Sequence, residues 1–198
     1  MKVIGITGGV GSGKSTLLNE LSKVYSCRVL LSDDAAKELE LRGNSCYEPL
    51  VELLGADILA EDKEIDKRKM ASAIYNNPDI LEKVNAIIHP AVREYILNEI
   101  DKERCSGVVD YFFLEAALLI ECGYNSVVDE MWYIFADNKA RYDRLKESRG
   151  YTEDKINAII KNQLSDEEFR KGSDFVIDNS GDLADAVNQI KSHLDVLD

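Results

Sequence analysis

Residues 8–15 of the chain read Gly-Gly-Val-Gly-Ser-Gly-Lys-Ser, and this stretch decides the fold. It follows the apolar run Val3–Thr7 and opens an amphipathic stretch that continues to Val24, so it marks the point where a buried strand turns into a helix. The glycines permit a tight turn in which successive backbone N–H groups approach phosphate oxygens. The start of the helix adds the positive end of its dipole.

The spacing of this loop fits the pattern G-x-x-x-x-G-K-[ST]. In that pattern the ammonium of Lys14 reaches the β- and γ-phosphates of a nucleotide, and the hydroxyl of Ser15 can ligate Mg²⁺. A glycine-rich turn without a ligand is the alternative, but a chance match is expected in only about one chain in two hundred of this length. The loop therefore predicts binding of a nucleoside triphosphate.

Short apolar runs alternate with longer amphipathic stretches along the whole chain, which indicates a parallel sheet covered by helices on both faces. The predicted strands are Val3–Thr7, Arg28–Ser32, Gly107–Glu115, Glu130–Ala136 and Asp174–Asp178. The predicted helices are Lys14–Val24, Asp33–Leu41, Tyr47–Leu54, Lys67–Tyr75, Ile80–Ile100, Lys139–Arg149, Glu153–Gln163 and Leu183–Leu197. The predicted fold class is therefore α/β.

The length and charge of the chain limit what it can be. Its 198 residues suit a single domain over residues 1–198, with a helical insert at about 60–100 and a further pair of helices at about 139–170 as appendages on the sheet. With 37 acidic and 24 basic side chains, the formal charge is −13. This balance argues against binding to nucleic acid or to an anionic membrane, which needs a basic face. An anionic substrate would require local cations.

Neither membrane insertion nor export is indicated by the sequence. No apolar run approaches the roughly 18 residues that span a bilayer, and the first apolar stretch runs into glycines without a small-residue cleavage site. The cysteines Cys27, Cys46, Cys105 and Cys122 are widely spaced. We therefore expect reduced thiols in the cytoplasm rather than disulfides or a zinc site.

Carboxylates follow two of the predicted strands. Asp33 and Asp34 come after the second strand, where one of them could act as a general base or accompany Mg²⁺, or both could cap the next helix together with Ser32. Glu115 ends the very apolar third strand, as the Mg²⁺-ordering acid of a Walker B element does. Its alternative is a solvated turn acid. Asp110 lies near the start of that strand, away from the phosphates.

Five cations lie within eleven residues near the predicted sixth helix. They are Lys139, Arg141, Arg144, Lys146 and Arg149. The i, i+3 spacing puts Arg141 and Arg144 near one helix face. They could close on a triphosphate and stabilise charge during phosphoryl transfer, or belong to a solvated face with Asp143 and Glu147 as partners. The phosphate loop favours the first interpretation for one or two of the arginines.

The middle of the chain carries two further candidate segments. His89-Pro90 is predicted to sit between two helical stretches, with Pro90 in a first helical turn and His89 as a junction residue. Lys67-Arg68-Lys69 could anchor an anion or face solvent. The residues alone assign no function to either segment.

Taken together, spaced motifs in the same order resemble the dephospho-coenzyme A kinase family over about residues 3–190. The matching segments are Ile6–Thr16, Asp33–Lys37, Ile65–Arg68, Asn85–Pro90, Leu114–Glu121, Arg144, Gln163 and Asp174–Gly181. The chain departs from the family pattern at several positions. Leu31 replaces the first acid of an Asp-x-Asp run, Lys67 an arginine, Glu115 an aspartate, Ala117 a proline and Ser148 a second arginine, with Arg149 one position later.

This resemblance implies roles for individual residues. The nucleotide would be bound by Gly9, Val10, Gly11, Ser12, Gly13, Lys14, Ser15, Thr16 and Asn179, and Mg²⁺ by Ser15 and Glu115. The acceptor would be bound by Thr7, Asp33, Lys67, Arg68, His89 and Leu118. The catalytic groups would be Asp33 as base, with Lys14, Arg144 and Arg149.

The resemblance also implies an architecture and an activity. The architecture is a three-layer P-loop core with a five-stranded parallel sheet, an acceptor-binding insert and a helical lid. The activity is transfer of the γ-phosphoryl group of ATP, with Mg²⁺, to the ribose 3′-hydroxyl of dephospho-coenzyme A. Two alternatives remain: a kinase for another small acceptor, and a nucleotide-dependent switch. A guanine-reading Asn-Lys-x-Asp motif is missing from the sequence, which disfavours a GTPase by resemblance.

Overall fold

A computed structural model describes residues 1–75, 77–116 and 118–195. It contains a five-stranded sheet with helices, in agreement with the predicted α/β class. The strands are β1 (Lys2–Thr7), β2 (Cys27–Leu31), β3 (Tyr111–Glu115), β4 (Glu130–Phe135) and β5 (Phe175–Asp178). The helices are α1 (Lys14–Val24), α2 (Ser32–Leu39), α3 (Tyr47–Leu54), α4 (Lys67–Ile74), α5 (Pro78–Ser106), α6 (Asn138–Arg149), α7 (Glu153–Lys161), α8 (Asp166–Lys171) and α9 (Leu183–Leu194).

The strand order is β2-β3-β1-β4-β5, which puts β1 in the centre of the sheet. β1 pairs in parallel with β3 and β4, and β4 pairs in parallel with β5. The register sets Ile6 beside Glu115 and Thr7 beside Tyr133. The carboxyl ends of β1, β3 and β4 therefore meet at one edge, which is where ligands bind in open α/β sheets.

The structure corrects the prediction for His89-Pro90. Pro90 lies inside α5, which runs without a break from Pro78 to Ser106, so the expected junction between two helical stretches is wrong. Proline lacks an N–H, so the carbonyl of Ala86 receives no bond from that position. The other turns of this long helix outweigh that loss.

The end of the last helix and one whole helix also differ from the prediction. The last helix ends at Leu194 rather than Leu197, and residues 196–198 lie outside the described part of the chain. Helix α8 was not predicted. Its capping box, in which the Ser165 hydroxyl accepts from the Glu168 N–H and the Glu168 carboxylate accepts from the Ser165 N–H, is written in the sequence as S-x-x-E.

The chain divides into two compact units. The first comprises Met1–Val29 and Glu103–Asp198, and the second comprises Leu30–Lys102. The core of the first is built on the sheet, where Phe112, Trp132 and Ile134 are fully buried. A separate apolar cluster forms the core of the second and contains Cys46, Leu50, Met70 and Val84. The single domain expected over residues 1–198, with its insert and lid, stays a prediction.

Within the described residues, none of the helices is both long enough and apolar enough to cross a membrane.

Candidate active site

The phosphate loop connects the end of β1 to the start of α1, as the sequence predicts. Gly13 is the N-cap of α1 and has a φ of 90°, a left-handed conformation that favours glycine. A Cβ at Gly13 would also lie 2.4 Å from Nδ2 of Asn179. The loop therefore needs glycine here for both its conformation and its close contact with the end of β5.

Lys14 and Glu115 come together at this loop. Nζ of Lys14 donates to the carbonyl of Gly8 at 2.7 Å and lies 3.7 Å from Oε1 of Glu115. The pairing of β1 with β3 brings this carboxylate, at the last residue of β3, beside the lysine. The contact favours a Walker B interpretation of Glu115 over a solvated turn acid.

One buried hydroxyl precedes the phosphate loop and another lies within it. Thr7 and Ser12 are almost fully buried, and among the described residues neither Oγ1 of Thr7 nor Oγ of Ser12 has a hydrogen-bond partner. Burying a hydroxyl without a partner is costly. These hydroxyl groups can donate, so they fit an anionic ligand in the loop.

Helix α6 and the end of β5 add two more predicted residues. Arg144 donates through Nη2 to the carbonyl of Asn179 at 2.7 Å and through Nη1 to the carbonyl of Ser12 at 3.3 Å. Nδ2 of Asn179, a residue that is 2% exposed, donates to the same Ser12 carbonyl at 2.7 Å. The structure therefore brings Lys14, Arg144, Asn179 and Glu115 to one loop.

Two further residues contact the loop: Arg141, which the sequence named only as one of two arginines that could close on a triphosphate, and Gln163, to which it assigned no role. Arg141 donates through Nε to the carbonyl of Val10 at 2.9 Å, and Gln163 accepts from the Val10 N–H at 3.2 Å. The i, i+3 spacing of Arg141 and Arg144 was the signal for the first. Gln163 matched a family glutamine, but no feature of the sequence alone connected it with the loop.

Other predicted residues are placed differently. The guanidinium of Arg149 lies 5.9 Å from the centre of the Tyr151 ring, and the Ser148 hydroxyl donates to the Arg144 carbonyl at 2.6 Å. Leu118 is 50% exposed beyond β3, and Ala117 lies outside the described residues. The roles of Arg149 and Leu118 stay predictions.

The donor set at the loop fits a Mg²⁺ ion held mainly by phosphates. Among the described residues, no group of three or more His, Cys, Asp or Glu side chains could hold a metal. In phosphoryl-transfer sites, however, Mg²⁺ keeps several waters and uses one or two carboxylates together with substrate phosphates. The Glu115 carboxylate and the exposed hydroxyl of Ser15, in the first turn of α1, are ligands of that kind.

The second unit contains four of the six predicted acceptor residues, while Thr7 and Leu118 belong to the first. Asp33 is exposed in the first turn of α2, while Asp34 is paired with Lys37 at 2.6 Å. The idea that Ser32 caps this helix is wrong, because Leu31 occupies the N-cap and no side chain bonds there. The acids can still favour the helix through its dipole.

Three more predicted acceptor residues lie in the same unit. Lys67 forms an ion pair with the buried carboxylate of Glu40, and Arg68 follows it in the first turn of α4, where the Asp66 carboxylate accepts from its backbone N–H at 2.8 Å. His89 is exposed on α5. Their roles toward an acceptor stay predictions.

Comparison with known proteins gives a consistent result. The family model for dephospho-CoA kinase matches residues 2–185. A dephospho-CoA kinase of Carboxydothermus hydrogenoformans is 34% identical over 190 residues, which are 96% of this chain and 91% of that protein. A protein of Thermus thermophilus has a similar crystal structure, with a TM-score of 0.82 and 29% identity over 100% of this chain and 98% of the other. A dephospho-CoA kinase from Campylobacter jejuni shares the fold, with a TM-score of 0.74 and 21% identity over 99% and 98% of the two chains. The resemblance found in the sequence is confirmed, and the chain belongs to the dephospho-CoA kinase family.

Proposed function

We propose that the protein transfers the γ-phosphoryl group of ATP to the ribose 3′-hydroxyl of dephospho-coenzyme A, which gives coenzyme A and ADP. The observation that carries the ATP half of this proposal is the position of Lys14. Its ammonium lies between the Gly8 carbonyl and the Glu115 carboxylate at the mouth of the phosphate loop. The acceptor half rests on membership of the family.

In the proposed reaction, Asp33 accepts the proton of the 3′-hydroxyl. The freed oxygen forms a bond to the γ-phosphorus, and the bond between that phosphorus and the β,γ-bridging oxygen breaks. The electron pair of the broken bond leaves with ADP. Lys14 and Arg144 offset the charge on the phosphate oxygens, while Arg149 is a candidate for a second lid cation. Positioning and charge stabilisation supply most of the catalysis in such a reaction.

The remaining assignments concern the metal, the acceptor contacts and the location. Ser15 and Glu115 would hold Mg²⁺ together with the nucleotide phosphates, and the ion would supply charge neutralisation there. Thr7, Lys67, Arg68, His89 and Leu118 are assigned to the acceptor. We propose a cytoplasmic enzyme, because its cysteines are widely spaced and free, as in a reducing compartment.

The experiment incubates the full chain with Mg²⁺, ATP and dephospho-coenzyme A and resolves the products by chromatography and mass. We expect coenzyme A and ADP in equal amounts, with neither formed when Mg²⁺ is left out. Lys14→Ala should lose both nucleotide affinity and turnover. The matched control is Lys23→Ala, since Lys23 is an exposed lysine on the same helix, paired with Glu20.

Binding of ATP without formation of coenzyme A would contradict the acceptor assignment. A panel of nucleosides and nucleotides would then test the first alternative, a kinase for another small acceptor. Slow hydrolysis without any acceptor, together with a binding surface that depends on the nucleotide, would support the switch.

A further inference from the structure

Arg141, Gln163 and Val10 form a closed ring of hydrogen bonds at the start of the phosphate loop. Nε of Arg141 donates to the Val10 carbonyl at 2.9 Å, and its Nη2 donates to Oε1 of Gln163 at 2.8 Å. The same Gln163 oxygen accepts from the Val10 N–H at 3.2 Å. Gln163 therefore fixes the direction of the guanidinium, and the backbone N–H and carbonyl of Val10 are both hydrogen-bonded.

The Arg141 guanidinium lies directly against Gly9. A Cβ built on Gly9 would be 2.5 Å from Nη2 and 3.1 Å from Nη1 of Arg141. Gly9 does not have a positive φ, so its backbone does not require glycine. What glycine provides at this position is room for the guanidinium.

No carboxylate of the described residues forms an ion pair with Arg141. Its side chain is half-buried, and burial lowers the pKa of the guanidinium. In the part of the chain that the structure describes, its hydrogen bonds go to the neutral Val10 carbonyl and Gln163 amide, and it forms no ion pair. Desolvating a cation without a counter-charge is unfavourable, so an anionic ligand is the natural complement.

Some N–H groups of the Arg141 guanidinium are not used in these contacts. Of its five N–H groups, these contacts use one on Nε and one on Nη2. Among the described residues, the other N–H groups on Nη1 and Nη2 make no hydrogen bond, so they can donate to a ligand oxygen.

The contacts along the loop distinguish its two ends. Nζ of Lys14, the group that reaches the β- and γ-phosphates in this motif, lies 2.7 Å from the Gly8 carbonyl and 3.4 Å from that of Gly9. Arg141 therefore converges on the same Gly9 peptide as Lys14. Arg144 instead contacts the Ser12 and Asn179 carbonyls at the other end of the loop.

We infer that Arg141 contacts the γ-phosphoryl group of the bound nucleotide, and that Gln163 acts as the positioning residue that directs its guanidinium. This inference rests on the proposed use of ATP and does not depend on the acceptor. It assigns to Arg141 the discrimination of a triphosphate from a diphosphate. It assigns to Arg144 contacts that both nucleotides share.

The test measures binding by calorimetry, in the presence of Mg²⁺, of ADP and of a β,γ-imido analogue of ATP that cannot be transferred. Arg141→Gln should weaken binding of the analogue by roughly 10- to 100-fold, the size expected for one hydrogen bond to a charged group. Its affinity for ADP should stay within about twofold of wild type, the scatter expected between neutral surface variants. Arg144→Gln should weaken both ligands by similar factors.

Two further variants sharpen the test. Gly9→Ala keeps Arg141 but pushes its flexible guanidinium aside, so it should also weaken the analogue more than ADP. Arg141→Lys keeps a charge without the planar fork and should recover part of the lost affinity. The matched control is Lys139→Gln, which removes one exposed cation from the same helix and should leave both affinities unchanged.

Equal losses for ADP and the analogue in Arg141→Gln and Gly9→Ala would overturn the inference and leave Arg141 a structural support of the loop. Wild-type affinities in both variants would overturn it as well. If Arg141→Gln does not fold, Gly9→Ala decides the matter. Because no acceptor is present, a protein that fails to form coenzyme A can still pass this test, so the two proposals fail separately.

Discussion

Nζ of Lys14 lies 3.7 Å from Oε1 of Glu115, and their side chains are only 11% and 14% exposed. The pair joins the first residue of α1 to the last residue of β3, across neighbouring strands of the sheet. A phosphate entering the loop competes with this carboxylate for the same ammonium. Once the ammonium contacts the phosphate instead, a divalent cation can balance the negative charge of the Glu115 carboxylate.

The first prediction concerns Glu115→Gln, which keeps the size of the side chain and removes its charge. We expect kcat to fall at least about tenfold and the Mg²⁺ concentration for half-maximal rate to rise, because the metal loses a carboxylate partner. Initial rates measured across a Mg²⁺ titration check this. Asp110→Asn is the control, since Asp110 precedes the opposite end of the same strand. An unchanged Mg²⁺ requirement would remove Glu115 from the metal site.

The second prediction separates the two neighbouring acids of α2. Asp33→Asn should lower kcat by about 10²- to 10⁴-fold, the usual contribution of a general base, and leave ATP affinity unaltered. Asp34→Asn is its matched control, because this substitution removes only an exposed ion pair with Lys37. Such a pair contributes little to the free energy of folding. Rapid-quench turnover and calorimetric ATP binding give the two readouts. Near-normal turnover in Asp33→Asn would exclude Asp33 as the base.

The sequence predicts the sheet well because its strands are buried. The observed β3 and β4 fall within the predicted runs Gly107–Glu115 and Glu130–Ala136, and their central residues 112–114 and 131–134 are buried. Strand ends are less well defined. Gly107 has a φ of 61° and Asp110 donates its N–H to Ser26, so β3 begins only at Tyr111.

From the residues alone, the site could be predicted only where local spacing carries the chemistry. Asn179, which contacts the loop, was predicted from the family resemblance. The loop and Glu115 are adjacent to strands whose ends must meet, so their contact follows from the sheet. Gln163 is separated from Val10 by 153 positions, and only tertiary packing decides such a contact. The expected junction at His89-Pro90 was wrong for a related reason, since a local breaker signal was outweighed by the helix turns on either side.

The third prediction concerns acid stability and Glu130, at the start of β4. Burial opposes ionisation of this carboxyl, but hydrogen bonds from Lys2, Trp132 and His193 outweigh burial and lower its pKa to about 2 from an ordinary value of 4.5. A lowered pKa in the folded state gives stability that is present above pH 4.5 and is lost as the pH falls from there to about 2.

Glu130→Gln should therefore lower the free energy of unfolding at pH 7 by about 2 to 3 kcal/mol. The difference from wild type should shrink as the pH falls through that range. Urea titrations at a series of pH values measure both effects. Glu61→Gln, at an exposed site, is the control. A difference between Glu130→Gln and wild type that stays constant down to pH 2 would exclude the ionised carboxylate as the source of the stability.

The last prediction uses Pro90, which is exposed inside α5 next to His89. Pro90→Ala supplies the N–H that the Ala86 carbonyl lacks, so the helix should gain about 1 to 3 kcal/mol of stability, seen as a higher Tm. A proline inside a helix also bends it. If that bend directs His89 toward the acceptor, Pro90→Ala should raise the KM for dephospho-coenzyme A several-fold and leave the KM for ATP unchanged. His89→Ala should raise the same KM without the gain in Tm. A higher Tm with an unaltered acceptor KM would mean that the proline interrupts the helix without serving the acceptor site.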